Sequence, residues 1–552
     1  MLPKDLELIL LKNRGITDEK DVEKFLKPNY EASLHDPFLL PDMDLAVVRI
    51  LEAIEKKEKI VVYSDYDADG IPGAVILHDF FKAIKYENVS YYIPHRHDEG
   101  YGLHMDAIEE FGNTQVNLII TIDLGTTAVK EAIRAKELGI DIVITDHHLP
   151  HGEFPEVVAF VNPHREDSKY PEKILCGAGV AFKLACAILQ KKEDRWGLPE
   201  GYEKWWLDMV AIATLSDMVP LLGENRALAY FGLKVLRKSR RPGLRALIDL
   251  SGTKLEKLTE DDVGFTIAPR INVASRLDDP HLAFQMLKDT SALSANPSAI
   301  KLNDINTKRK TLVATIMKEV HKKIKKDDKD GLPKVIVVGN PAWHVGVLGL
   351  VASKICESYG KPSFVWGEGG DGNLRGSCRS DGTVNLVALM DLAGEHFLNF
   401  GGHEGAGGFT VSRTSIHTLG DELSMHYETV SVEKISKNVS YESELALADV
   451  NQNNYEAITL LAPYGVGNPK PIFCFKNVIP KTVRQFGKTK EHLEVIFTDG
   501  AKTEKKAIAF FATTLSFSKS LEAGIPCDLV ATFDSSDFAG KCELRLKIND
   551  IV

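Results

Sequence analysis

Residues 61–70 read VVYSDYDADG, and this stretch decides the fold of the first half of the chain. A short β-branched run, typical of a buried strand, ends in three aspartates at alternate positions: Asp65, Asp67 and Asp69. Neighbouring carboxylates repel one another, and aspartate is a poor strand former, so a positive charge is expected among them. The residues that follow, IPGAVILHDFFKAIK, have the apolar spacing of a helix.

The alternation of strand and helix continues outward from this stretch. VSYYIP, LIITID and DIVITD are further candidate strands, and AVKEAIRAKELG is a candidate helix between the last two. Because strands that alternate with helices favour a parallel sheet covered by helices, residues 46–290 are predicted to form an α/β domain. Residues 1–45 are predicted to be a lead-in that packs on this first domain.

Three further segments follow along the chain. Residues 291–330 combine a long helical pattern with a charged linker that ends in Gly and Pro, and KVIVVGN then begins a smaller α/β domain over residues 331–430. Residues 441–552 contain short alternating strands, among them HLEVIFTDG and CDLVATFD, which predict a small all-β barrel. The predicted fold class is α/β, with two α/β domains joined by a long helix and followed by the barrel.

Composition narrows the classes of function. The chain has 552 residues, too many for one hydrophobic core, and a net charge of −11, which argues mildly against a nucleic-acid partner. Its seven cysteines form no CxxC pair and suit a reducing cytosol, so a cytoplasmic location is expected. The N-terminus does not read as a signal peptide, and the apolar runs are too short to span a bilayer, so no membrane partner is expected.

Acidic and imidazole side chains follow three of the predicted strands and one apolar helix. Because the carboxyl ends of parallel strands converge on one crevice, these side chains are expected to share a site. Asp and His without Cys suit Mn²⁺ or Mg²⁺, and so many ligands suggest two divalent cations. Any one of the aspartates, taken alone, is as readily explained as a helix N-cap or a turn residue. The set comprises Asp65, Asp67, Asp69, Asp123, Asp146, His147, His148 and Asp217.

The motifs YSDYDADG, IDLGTT, TDHH and LSDMVPL, in this order, resemble the four motifs of the DHH phosphoesterase superfamily. Within it the chain most resembles the RecJ-type single-strand-specific exonucleases, through PHRHDEGYG, APRINVASRL, WHVGVLGLVASKI, GSCRS, FGGHEGAGGF and LAPYGVGNPKP. The resemblance implies a DHH catalytic domain over residues 46–290, a DHH-associated substrate-binding domain over residues 331–430, and an OB-fold-like nucleic-acid-binding domain over residues 441–552.

The resemblance also implies roles for the acidic set. Asp67 and Asp69 would be metal ligands, Asp123 would bridge two ions, and His147 and Asp217 would complete the shell of the second ion. His148 would face the scissile phosphate, which makes Asp123, His147 and His148 the expected catalytic residues. Asp65 and Asp146 would orient the ligands without binding an ion. Tyr63 stands where several relatives carry a histidine, so the first ion is expected to be held by fewer protein groups.

Basic and glycine-rich segments add an expected phosphate site. Arginine grips phosphate with a planar fork, although an isolated arginine is more often a surface ion pair. Arg96, Arg270 and Arg276 lie in segments that read as loops. The resemblance implies a pocket for a terminal 5′ phosphate and a path for the strand, with these contacting residues: Arg96, Arg270, Arg276, His344, Ser377, Arg379, Gly401, Gly402 and His403.

Further basic residues are open to two interpretations. The runs 234–245 and 308–326 are either solvated helix faces or part of the path of a polyanionic strand. Lys488 and Lys490 lie in the predicted barrel turn GKTKEH, and OB-folds bind single strands in basic grooves lined by aromatic residues.

The leading hypothesis is a metal-dependent 5′-to-3′ exonuclease that hydrolyses single-stranded DNA to 5′-mononucleotides in DNA repair and recombination, through two-metal activation of water. A second hypothesis is a DHH phosphodiesterase for short oligoribonucleotides or cyclic dinucleotides, which the extra barrel disfavours. A third is an inactive DNA-binding replication scaffold, which the complete set of metal-binding side chains disfavours. The resemblance implies single-stranded DNA, a helicase and a single-strand-binding protein as partners of a monomer.

Overall fold

The computed structural model describes residues 1–327, 331–370, 372–432, 440–487, 490, 492–536 and 543–552. Lys488 lies outside the described residues, so its predicted role in the barrel turn stays a prediction. None of the described helices is both long enough and apolar enough to cross a bilayer.

The first domain is built on a five-stranded parallel sheet. Its strands are β1 Ile60–Ser64, β2 Val89–Tyr92, β3 Leu118–Ile122, β4 Asp141–Thr145 and β5 Ala159–Val161. They lie in the order β2–β1–β3–β4–β5. In β1 the side chain of Val62 packs in the core on one face and those of Val61 and Tyr63 pack in the core on the other, as expected for a sheet covered on both sides.

The N-terminal segment and the first domain also contain α-helices. They are α1 Pro3–Asn13, α2 Glu19–Leu26, α3 Tyr30–Ser33, α4 Met43–Lys56, α5 Gly70–Ala83, α6 Met105–Asn113, α7 Val129–Glu137, α8 Gly177–Lys191, α9 Leu207–Ser216, α10 Gly223–Leu236, α11 Pro242–Leu250, α12 Glu260–Asp262, α13 Ala268–Leu277 and α14 His281–Lys288. The long helix α15, Ala292–Asp327, then leads to the second domain. It buries Leu302 in the core of the first domain and Val320 in that of the second, so one helix joins the two cores.

The second domain is a smaller mixed α/β unit. Its strands are β6 Ile336–Gly339, β7 Ser363–Glu368, β8 Leu374–Arg379, β9 Phe397–His403 and β10 Ala406–Val411, and its helices are α16 Leu348–Tyr359, α17 Leu386–Leu392 and α18 Leu419–Val430. The strand order is β6–β7–β8–β10–β9, with β6 and β7 parallel and the other pairs antiparallel.

The C-terminal domain is a closed β-barrel. Its elements are β11 Ser443–Glu444, α19 Gln452–Thr459, β12 Phe473–Phe486, β13 His492–Thr498, β14 Glu504–Ala509, β15 Cys527–Ser536 and β16 Glu543–Ile551. The barrel order is β12–β13–β14–β16–β15, and β12 pairs with β15 to close the ring. The α/β fold class and the C-terminal barrel are therefore as predicted.

The barrel contains one long strand that the sequence pattern did not predict. β12 includes Pro480, which normally argues against a central strand. The structure accommodates the proline at an irregularity in register between Pro480 and Thr482. The strand bends there, so its first half pairs with β15 and its second half with β13.

The N-terminal segment differs from the expectation that it packs on the first domain. Leu6 and Leu10 of α1 lie one turn apart and, with Phe25 of α2, are buried in the core of the barrel domain. Leu40 and Met43 are buried in the core of the first domain. The lead-in therefore contacts both the first domain and the barrel domain, because its two apolar parts cover the cores of different domains.

The segment APRINVASRL also differs from its expected loop conformation. It forms α13, which carries both Arg270 and Arg276. Pro269 lies just after a π-helical turn, Val263–Ile267, and the buried side chains of Ile271 and Ala274 fix the helix against the core.

Candidate metal centre and phosphate pocket

Four polar residues form a row at the carboxyl edge of the first sheet. Ser64, Ile122, Thr145 and Val161 are in register across β1, β3, β4 and β5. The next residue in each strand continues the ladder, since the amides of Asp65, Asp123 and Asp146 donate to the carbonyl groups of Ile122, Thr145 and Val161. The row is therefore Asp65, Asp123, Asp146 and Asn162.

Three groups of side chains at this edge have the spacing of metal ligands. Within each group, the candidate ligand atoms lie within 4.8 Å of one another. Asp123 belongs to two of the groups and His147 to two, so the groups form one continuous cluster. The groups are Asp65, Asp67 and Asp123; Asp69, His147 and Asp217; and Asp123, His147 and His148.

Backbone amides shape the first acidic motif. Asp67 Oδ1 accepts from the amides of Asp69 (2.8 Å) and Gly70 (3.2 Å), which closes the turn into α5. A Cβ at Gly70 would lie 2.5 Å from the carbonyl oxygen of Asp65, so the turn requires glycine. Asp69 accepts from the amides of Gly177 (2.6 Å) and Ala178 (2.7 Å) at the positive N-terminus of α8.

Asp123 occupies a constrained position at the centre of the cluster. Its φ is 64°, in the left-handed region, which aspartate tolerates better than most residues. Gly177 makes room for it, because a Cβ there would lie 2.6 Å from Asp123 Oδ1. His147 Nε2 lies 3.0 Å from the same oxygen, yet Oδ1 is buried and accepts no hydrogen bond among the described residues. This geometry fits two ligands that face a common cation.

The charges of the cluster also fit a cation. Burial and the nearby carboxylates raise the pKa values of Asp65, Asp69 and Asp123 above their usual range. Burial, with repulsion from Asp69, raises the pKa of Asp217 to about 7. Carboxylates that resist ionisation in the protein alone are stabilised by a bound cation, and oxygen and imidazole ligands suit Mn²⁺ and Mg²⁺.

The two histidines have different surroundings. Burial alone would lower the pKa of His147, but Asp69 and Asp217 raise it above the usual value. His148 Nδ1 lies 2.7 Å from Asp146 Oδ1. Asp146 also accepts from Thr126 and from the amides of both histidines. Burial raises the pKa of Asp146, but the hydrogen bond and charge of the His148 imidazole, with the hydrogen bond from Thr126, lower it to about 2. Asp146 thus holds the His147–His148 segment in place.

Tyr63, for which the resemblance implies a histidine in several relatives, packs in an apolar core. It is fully buried with Tyr92 and Phe111, whose ring centroids lie 4.9 Å and 6.3 Å away. It therefore belongs to the apolar core between the sheet and α6.

A group of arginines lies beside the acidic cluster. Arg96, in the loop after β2, stacks over Tyr66 with 5.0 Å between its guanidinium carbon and the ring centroid. Burial, with repulsion from Arg96, Arg309 and Arg379, lowers the pKa of Arg276 to about 10, while Asp67 opposes this shift. These guanidinium groups are close enough to lower one another's pKa values. Such a concentration of positive charge is typical of an anion-binding site.

The second domain contributes one face of its sheet to this pocket. Ala406 of β10 pairs with both Arg379 of β8 and His403 of β9, so the three side chains share a sheet face. Gly408 likewise joins Ser377 to Gly401. With strands about 4.8 Å apart, His403 lies about 10 Å across the sheet from Arg379. Gly402 and His403 are exposed in the β9–β10 hairpin.

His344 and Arg270 have separate surroundings. His344 is exposed, 5.7 Å from the ring of His97, and precedes Gly346, where a Cβ would overlap the carbonyl oxygen of Arg276. The second domain therefore packs tightly on the end of α13. Arg270 is buried and donates to Asn303 and to the carbonyl oxygen of Thr266, so it ties α13 to α15.

The structure adds residues that the sequence reasoning missed. Tyr101 donates to the carbonyl oxygen of Asp123 (3.1 Å) and lies 3.1 Å from His148 Nδ1. Asn272 Oδ1 accepts from the amide of Ala68, within the first acidic motif. Asn162 donates to Thr126 and to the carbonyl oxygen of His148. Of these three residues, only Asn162 could have been found from the sequence, because it is a polar residue at the end of a strand.

The basic run 234–245 is partly structural. Arg237 donates to the carbonyl oxygen of Leu258, and Arg241 is paired with Asp79 and Asp208. In the run 308–326, Arg309 approaches Arg270 and Arg276, so this part of α15 borders the arginine group.

Three family models match the chain. They are the DHH family N-terminal domain over residues 59–214, the DHHA1 domain over residues 332–424, and the RecJ OB domain over residues 441–550.

Whole-chain comparisons agree with these models. The single-stranded-DNA-specific exonuclease RecJ of Bacillus subtilis is 36% identical over 88% of this chain, which spans 60% of that relative's length. The RecJ of Dickeya dadantii is 30% identical over 100% of this chain and 97% of the relative. RecJ of Thermus thermophilus in complex with Mn²⁺ has a TM-score of 0.81 and 28% identity, covering 99% of this chain and 76% of that chain. Its complex with Mg²⁺ has a TM-score of 0.75 and 26% identity, covering 99% and 74%. The chain therefore belongs to the RecJ family of single-stranded-DNA-specific exonucleases.

Proposed function

We propose that this chain hydrolyses single-stranded DNA from its 5′ end and releases 5′-mononucleotides in DNA repair and recombination. The observation that carries the proposal is the position of the arginine group directly beside the carboxylate–imidazole cluster. Arg276 is close enough to Asp67 for the carboxylate to affect its pKa. A phosphate held by the arginines would therefore leave the next phosphodiester near the cluster.

The cluster is proposed to hold two divalent cations, Mn²⁺ or Mg²⁺. Asp67, Asp69, Asp123, His147 and Asp217 are the proposed ligands, with Asp123 shared between the ions. Asp65 is proposed to orient ligands, although its Oδ1 is buried without a hydrogen-bond partner among the described residues. When bound, the cations supply polarisation of the phosphoryl group and activation of water for in-line attack.

The protein groups position the reacting strand. His148, held by Asp146 and flanked by Tyr101, is proposed to contact the scissile phosphate. His403 and Ser377 are proposed to contact the backbone from the opposite side, since they lie on or beside the sheet face that carries Arg379. The half-buried position of Arg276 makes its contacts with a phosphate stronger than they would be in open water.

The 5′ polarity is proposed to arise from recognition of a terminal phosphate by the arginine group. Arg96, Arg276, Ser377 and Arg379 would hold a terminal phosphate, and His344 would border it from the second domain. Gly401 and Gly402 are proposed to let the strand backbone approach β9 closely. Arg270 is proposed to act near this path only through Arg309, because its own side chain already bonds Asn303.

Partners and location complete the proposal. We propose that the chain acts as a monomer in the cytoplasm, with a helicase that unwinds duplex and a single-strand-binding protein that presents the strand. Among the described residues, Cys176, Cys186, Cys378, Cys474 and Cys527 carry free thiols, which suits a reducing compartment.

A time course on a 5′-phosphorylated single strand, with Mn²⁺ and with product sizes read out, tests the proposal. The expected products are mononucleotides, a 5′-capped strand should resist, and Asp123→Ala should be inactive. Equal activity of Asp123→Ala would show a contaminating nuclease. Cleavage of only a dinucleotide would instead support the oligoribonucleotide or cyclic-dinucleotide activity, for which the barrel has no evident use.

A further inference from the structure

Arg226 lies where the N-terminal helices, the catalytic domain and the barrel domain meet. It belongs to α10, the helix that follows Asp217, and its side chain is 3% exposed. The guanidinium group lies 3.7 Å from the centroid of the Phe25 ring. It donates to four backbone carbonyl groups, those of Phe25 (3.0 Å), Leu461 (3.0 Å), Ala462 (3.1 Å) and Pro463 (3.2 Å).

This arginine is bound by carbonyl groups and not by an acid. Within the described part of the chain it forms no ion pair, and burial lowers its pKa to about 10. A buried charge without a carboxylate is costly unless its donors are satisfied, and the four carbonyl groups accept from four of its five N–H groups. The planar fork of arginine reaches several acceptors at once, which a lysine ammonium group cannot do in the same geometry.

Three of the four carbonyl groups belong to a short segment, residues 461–469, that is also held at its other end. Asn468 is fully buried and donates to the carbonyl groups of Leu461 (2.8 Å) and Pro463 (2.9 Å). Arg14 of the N-terminal segment donates to Asn468 Oδ1 (2.8 Å) and to the carbonyl group of Pro469 (2.8 Å). The segment leads directly into β12, the strand that closes the barrel.

The same segment touches the loop that follows Asp217. The amide of Leu221 donates to the carbonyl group of Val466 at 2.7 Å. A Cβ at Gly465 would lie 2.9 Å from Leu221 Cδ1, so the backbone at Gly465 packs closely against the Leu221 side chain. Asp217 itself is held by α9, because its amide donates to the carbonyl group of Ala213. Segment 461–469 therefore connects the barrel to the neighbourhood of the metal centre without supplying a ligand.

We propose that Arg226 is a positioning residue that fixes the barrel against the catalytic domain, so that a strand on the barrel reaches the metal centre in a constant register. This inference rests on the proposed function. A trinucleotide that fits within the phosphate pocket does not need the barrel, whereas a long strand binds both parts and gains affinity only while they keep one geometry. Arg226 acts on long substrates through segment 461–469 and through its contacts with Phe25, both of which belong to the barrel side.

The kinetic test compares Arg226→Met and Arg226→Lys with the wild type. For a 5′-phosphorylated strand of about 40 nucleotides, longer than one OB-fold covers, KM is expected to rise on the order of tenfold in Arg226→Met. The kcat/KM for a 5′-phosphorylated trinucleotide is expected to stay within about twofold, because the metal centre is held by other elements. Arg226→Lys should lie between, and Arg134→Met, a surface change on α7, should match the wild type. Equal changes for both substrates, or no change for the long strand, would overturn the inference.

Hydrogen exchange gives a readout that does not depend on activity. Without substrate, peptides that contain Leu221 and residues 461–469 are expected to exchange faster in Arg226→Met than in the wild type or Arg134→Met. If Arg226→Met does not fold, Arg14→Met releases the other end of the segment and should give the same pattern. Unchanged exchange in these peptides would overturn the inference. A wild type that degrades neither substrate would contradict the proposed function, while the exchange comparison would still test the role of Arg226.

Discussion

Asn272 Oδ1 accepts a hydrogen bond from the backbone amide of Ala68 at 2.8 Å, and this contact joins the phosphate pocket to the metal centre. Ala68 lies between Asp67 and Asp69, and its carbonyl group accepts from Ser216 Oγ, next to Asp217. Asn272 lies on α13, the helix that also carries Arg276. The first acidic motif is therefore held from two sides by elements that present other parts of the site.

Replacing Asn272 with alanine is expected to lower kcat by about 10- to 100-fold with a smaller change in KM, because a small displacement of the Asp67–Asp69 turn misplaces reacting groups. Steady-state kinetics on a 5′-phosphorylated single strand would measure both constants. Asn88→Ala, which removes an exposed side-chain contact to Lys57, is the matched control. A change confined to KM would assign Asn272 to strand binding instead.

Asp123→Asn is expected to raise the thermal unfolding temperature in the presence of EDTA. The wild-type carboxylate is buried among Asp69, Asp67 and Asp65, and removing its charge relieves their repulsion. Adding Mn²⁺ should reverse the order, since the metal stabilises only a protein that binds it. Differential scanning fluorimetry with and without Mn²⁺ would measure this, and Asp249→Asn, on the surface of α11, is the control. A lower unfolding temperature for Asp123→Asn in EDTA would contradict the assigned repulsion.

Arg379→Met is expected to remove most of the preference for a 5′-phosphorylated over a 5′-hydroxyl strand. Loss of a charge-assisted hydrogen bond to phosphate is worth about 1.5–3 kcal/mol, which corresponds to about a 10- to 100-fold fall in kcat/KM for the phosphorylated strand. The 5′-hydroxyl strand should be cut at nearly the wild-type rate. Competition between the two strands would measure the preference, and Arg413→Met, an exposed arginine paired with Glu368 in the same domain, should leave it unchanged.

Stability is expected to depend on pH through His78. Burial, with repulsion from Lys288 and Lys82, lowers the pKa of His78 to about 4, below its usual value of 6.5. The unfolded chain therefore binds more protons between these values. The contribution of neutral His78 to the free energy of unfolding is fully present above pH 6.5 and is lost as the pH falls toward 4. The loss is about 1–2 kcal/mol after allowance for solvent screening.

His78→Phe should flatten this dependence, because it keeps the ring contacts with Tyr91 and Phe284 but cannot be protonated. Unfolding temperatures measured from pH 7 to pH 4, beside those of the exposed-site control His151→Gln, would show it. An equal acid sensitivity of His78→Phe and the wild type would assign the effect to other groups.

The proximity of several candidate site residues follows from one rule of fold geometry. Buried strands were recognisable from their β-branched runs, and parallel strands place their carboxyl ends at one edge, so Asp65, Asp123 and Asp146 were expected together before any coordinates. Asp217 was found by a different signal, a carboxylate that follows an apolar helix. In the structure Asp65, Asp123 and Asp217 belong to the ligand groups described above, and Asp146 lies beside them, 2.7 Å from His148 Nδ1.

Other features depended on contacts that no local pattern encodes. The apolar face of α1 gave no sign of which core it covers, and it covers the barrel. The longest barrel strand was not predicted because it contains Pro480. A proline is tolerated in such a strand only where the register shifts, and the sequence does not reveal that shift. Tyr101 lies in a glycine-flanked loop, and its contact with His148 arises only from the return of that loop over the sheet edge.

The aligned row Asp65–Asp123–Asp146–Asn162 has a consequence for folding errors. Side chains alternate along a strand, so the loss of a single residue within β3 would turn Asp123 toward the opposite face of the sheet and bring an apolar side chain to the edge. Such a chain could still form helices and a compact core. Its carboxylates would no longer lie together at the edge of the sheet. The rise in unfolding temperature on adding Mn²⁺ would therefore show whether the central strands have paired in the correct register.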